Sequence, residues 1–273
     1  MTPLAEVPVR EKAGAADAGP RASEAPRASG ELHGRVVLVT GSSRGIGAAT
    51  ARRFAAAGAR VVLNSSGSST AALALAAELP EAIARQGDVS RAEEASALVE
   101  AAASAWGRLD TVVNCAGFSR MVPFEDLHGA DAELWRRCFD VNLMGVWNVT
   151  CAAAPLLRRA ENASVVNVSS VGASTISGSS IPYSVSKAGA EHLTRLLARA
   201  LAPEIRVNAV APGFTRTAIT DALPAEYVAA YERRIPVGRG AEPEEIAEGC
   251  FQLACAPFAT GTTLTLDGGV HVN

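Results

Sequence analysis

What most limits the fold of this chain is a rhythm: seven short runs rich in Val, Ile and Leu, separated by longer stretches with helical spacing. The runs are RVVLVT from Arg35, ARVVLN from Ala59, a weaker one at Ile83–Gln86, DTVVN from Asp110, ASVVNVS from Ala163, IRVNAVA from Ile205 and TTLTL from Thr262. Short, nearly continuous apolar runs of this kind suit strands covered on both faces. Helices are expected from the glycines after the first run to Gly58, then over Thr70–Leu79, Arg91–Trp106, Glu133–Arg159, Tyr183–Leu201 and Glu244–Ala254. Right-handed crossovers then place helices on either side of a parallel sheet. The expected fold is α/β, a doubly wound single domain of about seven strands.

Residues 1–32 break the rhythm. Four prolines, no aromatic residue and scattered charges offer too little apolar surface to offset the entropy of ordering. They read as a flexible N-terminal extension, and residues 33–273 as the folded domain. The 48% hydrophobic content supplies a sizeable core and excludes wholesale disorder. A formal charge of -3 gives no footprint for a polyanion, so nucleic acid is not an expected partner. No apolar run reaches the ~18 residues of a membrane span, so no membrane partner is expected either. Five cysteines, an odd number without a C-x-x-C pair, point to reduced thiols and a cytoplasmic location. His33, His128, His192 and His271 lack the spacing of zinc ligands, and no metal site is expected.

Between the first strand and first helix lies Thr40-Gly41-Ser42-Ser43-Arg44-Gly45-Ile46-Gly47. Glycines there let the backbone turn tightly and approach a ligand with no Cβ in the way. The free N–H groups of the following helix then face an anion, typically a pyrophosphate. A plain strand-to-helix connection is the alternative. Its place after a first strand favours a dinucleotide, with Gly41, Ser43, Arg44, Gly45, Ile46 and Gly47 as candidate contacts. The second strand ends Leu63-Asn64-Ser65-Ser66-Gly67, without the carboxylate that would repel a ribose 2′-phosphate. Ser65 and Ser66 are therefore candidates as well. Arg44 supplies a fixed positive charge nearby, so NADP is favoured over NAD, unless Arg44 is merely a solvated loop arginine.

Of 25 basic residues only Lys12 and Lys187 are lysines, and Lys12 falls in the extension. A lysine that persists against such a bias suggests a need for a compact ammonium. Lys187 follows Tyr183 by four residues, which puts both on one helix face. A neighbouring ammonium favours the phenolate and lowers the phenol's pKa, making tyrosine a usable general acid or base. The alternative is a surface Tyr and Lys on an amphipathic helix. Thirteen residues before Tyr183, Ser170 ends the fifth strand, where a hydroxyl could hold a substrate oxygen. Ser169 is its rival, and strand alternation sends the two in different directions.

Together these residues resemble the short-chain dehydrogenases/reductases over about residues 33–273. The T-G-x-x-x-G-x-G turn is Thr40–Gly47, and Asp88-Val89 is similar to the pair that touches the adenine. The family's N-N-A-G appears as Asn114-Cys115-Ala116-Gly117, with Cys115 in place of the second Asn. Val141–Gly145 supplies the family's Asn as Asn142, and Ser170, Tyr183 and Lys187 fit the serine–tyrosine–lysine set. Pro212-Gly213-Phe214 with Thr217 resembles the segment that holds the nicotinamide carboxamide. Thr260-Gly261 and Leu266–Gly269 match the closing strand. The resemblance implies a Rossmann-type, NAD(P)-dependent oxidoreductase and a homotetramer. In it Tyr183 protonates a carbonyl oxygen, Ser170 holds that oxygen, and Lys187 lowers the Tyr183 pKa and binds the nicotinamide ribose. Asn142 positions a water of a proton relay. Within the family the turn is most like that of 3-oxoacyl-(acyl-carrier-protein) reductases, implying an NADPH-dependent ketoreductase for a small-molecule or thioester-bound carbonyl. An NAD-dependent alcohol dehydrogenase and a catalytically silent dinucleotide sensor are the other readings. A lid is expected over Arg216–Pro236, where Tyr227, Tyr231, Arg233 and Arg234, with Arg120 beyond the Asn114 turn, face either a carrier or solvent.

Overall fold

The computed structural model describes residues 32–67, 70–221 and 223–272. Seven strands form one parallel sheet: β1 Val36–Thr40, β2 Arg60–Ser65, β3 Ala82–Gln86, β4 Thr111–Asn114, β5 Ala163–Val168, β6 Ile205–Pro212 and β7 Thr263–Leu266. Their order is β3-β2-β1-β4-β5-β6-β7. The chain winds outward from β1 in one direction and then, after β3, crosses back to continue from β4 in the other. β1 and β4 are therefore neighbours in register, with Thr40 beside Asn114. A crevice opens beyond their carboxyl ends.

The alternation within each strand divides the core in two. Val37, Val39, Val61 and Leu63 pack on one face with Phe54 of α1 (Gly45–Ala56) and Ile246 and Phe251 of α9 (Pro243–Cys255). Val36, Leu38, Val62 and Val165 face the other way. They meet Leu98 of α3 (Ala92–Trp106), Val149 of α5 (Gly145–Leu157) and Leu197 of α6 (Ile181–Leu201). This is why the runs showed no polar alternation: both faces are covered. The remaining helices are α2 (Thr70–Glu78), α4 (Ala132–Phe139), α7 (Ala218–Asp221) and α8 (Ala225–Glu232).

Two differences from expectation bear on the site. The helix expected over Glu133–Arg159 is α4 and α5 joined by a π turn at Asp140–Met144, and such turns recur at functional sites. Leu32, expected to end the extension, is buried, and its N–H donates to the Ala57 carbonyl at 3.1 Å. Residue 32, on the extension side of the boundary expected at 33, is thus packed against the domain. The rest of the expected extension, residues 1–31, lies outside the described residues. Among the described residues no helix is long and apolar enough to cross a membrane.

The α1–α9 contact holds the glycine turn from behind. Phe54 is fully buried and meets Phe251 edge-on at 5.4 Å, and the Arg53 guanidinium lies over the Phe251 ring at 3.5 Å. Phe54→Ala is expected to cost about 3–5 kcal/mol through lost burial and a cavity. Urea unfolding followed by circular dichroism would measure it.

Candidate active site

The crevice is built by side chains that tie neighbouring loops together. Gly41 takes a left-handed φ of 64°, and a Cβ there would sit 2.7 Å from the Ala116 Cα. A Cβ on Gly47 would collide with the Gly41 carbonyl. Only glycine lets the turn sit this close to the β4 loop. Thr40 Oγ1 fixes that approach by accepting from the Cys115 and Ala116 N–H groups, each at 3.1 Å. On the other side Asn64 acts as a staple. Its Oδ1 accepts from the Gly41 N–H at 3.1 Å, and its Nδ2 donates to the Gly87 carbonyl at 2.9 Å. Asn64 is thus a structural part of the turn, a role its reading as a missing acid did not show.

Helix α1 starts at Gly45 with Arg44 extended before it and no side-chain cap. The first-turn N–H groups are left to a ligand, as anion binding requires. Arg44 is exposed, Ser65 buried and Ser66 exposed. A cavity of about 330 Å³ opens here, lined by Ser43, Arg44, Gly45, Arg52, Ala71 and Glu244 among others. None of the Ser170, Tyr183 and Lys187 set lines it. Asp88 Oδ1 accepts from the Ser90 N–H and hydroxyl, while Val89 is buried against Gly145. From the far side, Thr217 Cγ2 lies 3.3 Å from where a Cβ on Gly45 would be, so the segment after β6 closes back on the turn. Gly213 packs its backbone against Asp267, and Phe214 stacks on Tyr231 with centroids 4.9 Å apart. These features fit a dinucleotide laid across the sheet.

The tyrosine, lysine and serine converge at the ends of β5 and α6. Ser180 caps α6, accepting from the Tyr183 N–H at 3.4 Å, with Pro182 in the first turn. The Ser170 hydroxyl accepts from the Gly172 N–H at 3.2 Å and adjoins the Tyr183 phenol, whose pKa it lowers, whereas the Ser169 hydroxyl donates to Glu191 Oε1 at 2.9 Å. The two hydroxyls thus face different ways, Ser169 toward Glu191 and Ser170 toward Tyr183. Lys187 is buried, and its Nζ donates to the Val168 carbonyl at 2.7 Å. Asn142 is aimed inward by the π turn, accepting from the Phe118 N–H at 2.8 Å and donating to the Phe118 carbonyl at 3.0 Å and the Ser186 hydroxyl at 2.9 Å. A Cβ on Gly117 would lie 3.4 Å from Asn142 Oδ1 and 3.7 Å from Lys187 Nζ, so the three groups adjoin.

Electrostatics amend one expectation. Burial raises the Tyr183 pKa, partly opposed by the Ser170 hydrogen bond. Lys187 Nζ is 5.9 Å from the Tyr183 ring centroid and spends a hydrogen bond on Val168. The helical spacing therefore does not by itself pull the phenol down. Burial also lowers Lys187 to about 8, against the pull of Cys115, Cys138 and Glu191.

Other expected residues are placed differently. The Asn114 side chain donates to Asn167 Oδ1 at 2.9 Å and so ties β4 to β5, leaving its backbone at the crevice. Arg120 is strapped to Asp131 Oδ2 and the Gly129 carbonyl, both at 2.9 Å. In the lid, Arg233 is exposed, and Arg216 pairs with Glu232 at 2.7 Å. Sequence reading missed Ser186 and the Val122, Leu134 and Cys138 cluster packed against Tyr183. It also missed Glu191. No disulfide joins any of the five cysteines.

The family described as enoyl-(acyl carrier protein) reductase matches residues 41–271. A protein of Streptomyces violaceoruber assigned as ketoacyl reductase 2 of the granaticin polyketide synthase is 45% identical over 256 residues, covering 92% of this chain and 99% of its own. The 3-oxoacyl-[acyl-carrier-protein] reductase of Synechocystis sp. is 39% identical, covering 88% of this chain and 98% of its own. A crystal structure from Burkholderia xenovorans, assigned as a short-chain dehydrogenase/reductase, superposes with a TM-score of 0.81 at 36% identity, over 91% of this chain and all of that one. The chain belongs to the short-chain dehydrogenase/reductase family. As a short-chain dehydrogenase/reductase it is an oxidoreductase acting on CH–OH groups, in a family that uses NAD(P).

Proposed function

We propose that the chain is an NADPH-dependent ketoreductase that converts a small-molecule or thioester-bound ketone to a secondary alcohol, with Tyr183 as the general acid. The observation that carries this is the partly buried Tyr183 with the Ser170 hydroxyl beside its phenol and the buried Lys187 one helical turn on. The two reductases named above support the ketone. In this reading the first-turn N–H groups of α1 with Gly41, Ser43, Gly45, Ile46 and Gly47 hold the pyrophosphate. Arg44, Ser65 and Ser66 meet the ribose phosphate, and Asp88 and Val89 the adenine. Asn114, Ala116 and Gly117 line the middle of the crevice, and Pro212, Gly213, Phe214 and Thr217 hold the nicotinamide end. When bound, the reduced nicotinamide supplies a hydride to the carbonyl carbon.

Ser170 donates a hydrogen bond to the carbonyl oxygen, which polarises the bond and stabilises charge as it develops. Tyr183 gives its proton to that oxygen and becomes a phenolate. Alone in a buried site a phenolate is costly, and the buried ammonium of Lys187 offsets part of that cost. Asn142, beside Lys187 and held by the Phe118 backbone, positions the water through which the proton is restored. Tyr183→Phe should lower kcat for carbonyl reduction by at least about a hundredfold with little change in cofactor affinity. Turnover at the parent rate in that variant would overturn the mechanism.

The preference for NADPH rests on the exposed Arg44 and on Asn64 being turned into the fold where an acid would otherwise stand. Loss of one charge-assisted phosphate contact corresponds to roughly tenfold to a hundredfold in affinity. Arg44→Ala should weaken NADPH binding by that factor and leave NADH nearly unchanged in fluorescence titration. Equal losses for both would return the choice to NAD.

We further read the enzyme as a cytoplasmic homotetramer. Trp147 and Met144 along the α5 segment, with Val185 and Leu196 on α6, are 43–53% exposed, a large apolar surface for a lone chain. Analytical ultracentrifugation should find the tetramer at micromolar concentration, dissociated by Trp147→Glu. A monomeric parent protein would overturn it.

A further inference from the structure

Glu191 has no part in the mechanism above, yet it is one of the few buried carboxylates among the described residues, only 9% exposed. It follows Lys187 by four residues on α6, so Tyr183, Lys187 and Glu191 occupy successive turns of one face. The Ser169 hydroxyl donates to Glu191 Oε1 at 2.9 Å, with the Lys187 backbone carbonyl as a second, more distant acceptor at 3.4 Å. Ser169 is also pinned by its backbone, its N–H donating to the Val210 carbonyl at 2.7 Å. With Ser169 drawn toward α6, the extended backbone at Ser170 sends the next hydroxyl to Tyr183.

We propose that Glu191 is a positioning residue of this active site: through Ser169 it selects Ser170 as the hydroxyl that meets the substrate oxygen, and it supplies the counter-charge that keeps the buried Lys187 an ammonium. The proposal rests on reading Tyr183 and Lys187 as the proton-transferring pair.

The charges around the lysine leave this role to Glu191. Lys187 is faced by Tyr183 and Glu191 from α6, by Cys138 from α4 and by Cys115 from the loop after β4. Burial pushes the Cys115 thiol up to about 11 and raises Cys138 as well, so both are neutral through pH 8. Tyr183 is raised too and is likewise neutral there. Glu191 is then the only anion among these neighbours. Burial raises its own pKa, while the Ser169 hydrogen bond, Arg195 and Lys187 all favour the ionised form. Ser169 and Arg195 hold the carboxylate ionised ahead of Lys187, and the carboxylate, one turn from the ammonium on the same helix face, favours the charged lysine. The sign follows. Removing the carboxylate takes away a group that raises the Lys187 pKa, so Lys187 must lose its proton at lower pH.

The chain's composition makes this directly measurable. Only Lys12 and Lys187 are lysines, so protein labelled with ¹⁵N-lysine gives two side-chain amine signals, which Lys12→Arg assigns. In the full-length protein Glu191→Gln should lower the Lys187 midpoint by about one pH unit, a tenfold change in proton affinity. Lys12 should not move, and Glu191→Asp, which keeps the charge, should stay near the parent value. An unchanged Lys187 midpoint in Glu191→Gln would overturn the counter-charge role. Ser169→Ala tests the other half, and also serves if Glu191→Gln does not fold. It should lower kcat about tenfold with KM little changed and the Lys187 midpoint retained. Parent-level kcat in Ser169→Ala would overturn the selection of Ser170. The amine titration needs no turnover, so it stands apart from the Tyr183→Phe result: full activity in that variant would sink the proposed chemistry while leaving the lysine–carboxylate coupling measured.

Discussion

Because helices cover both faces of the sheet, its strands reach a ligand only along the rim where they end, and the site depends on that constraint. Thr40, Asn64, Asn114, Val168 and Pro212 all end their strands or stand within one residue of the end. The first four are occupied there. Thr40 gathers the β4 loop, Asn64 staples the glycine turn, Asn114 bonds Asn167, and the Val168 carbonyl holds Lys187. The register between β1 and β4 thereby places the anion-binding turn next to Cys115–Gly117, and Gly117 in turn next to the lysine. The glycine turn and the Tyr183–Lys187 pair share one framework and are not independent features of the chain.

At the centre of that framework is a buried cation. An ammonium removed from water costs several kcal/mol unless its donors are used, and one of Lys187's three goes to a backbone carbonyl. Arginine could not take its place: a planar five-donor fork needs more acceptors than this corner supplies. The scarcity of lysine elsewhere in the chain is consistent with a position where shape, rather than charge alone, is selected. Phenol and ammonium are both pushed toward neutrality by burial, which raises the proton affinity of the first and lowers that of the second. Any phenolate formed here depends on the field of the neighbouring ammonium rather than on matched affinities.

Much of the fold was legible because its signals are local. Apolar runs of five or six residues, glycines at fixed offsets and helix-length spacers appear directly in the letters, and the seven strands lie where those runs do. The candidate residues were legible from spacing: Tyr183 and Lys187 by one helical turn, Ser170 by its place at a strand end. What remained hidden depends on burial or on partners far along the chain. Ser169 turns toward Glu191, more than twenty residues on, and no pattern around the serines encodes that contact. The effect of Lys187 on Tyr183 could not be read from the spacing either, since desolvation opposes it and desolvation belongs to the packed interior. Arg120 looked free in the sequence because Asp131, its partner, lies eleven residues on across a loop.

The π turn between α4 and α5 has a wider reach than its five residues. It adds a residue to a continuous helical stretch, and each residue advances the screw by about 100°. Two faces are phased by that offset: Asn142 points into the crevice, and Met144 and Trp147 point outward from the same rod. Deleting one residue there would swing the rest of α5, bringing Trp147 toward the sheet and carrying Val149 and Ala153 toward water. Aim at the reaction centre and the outer contour of the molecule are therefore cut on a single thread, and neither can be re-indexed without the other.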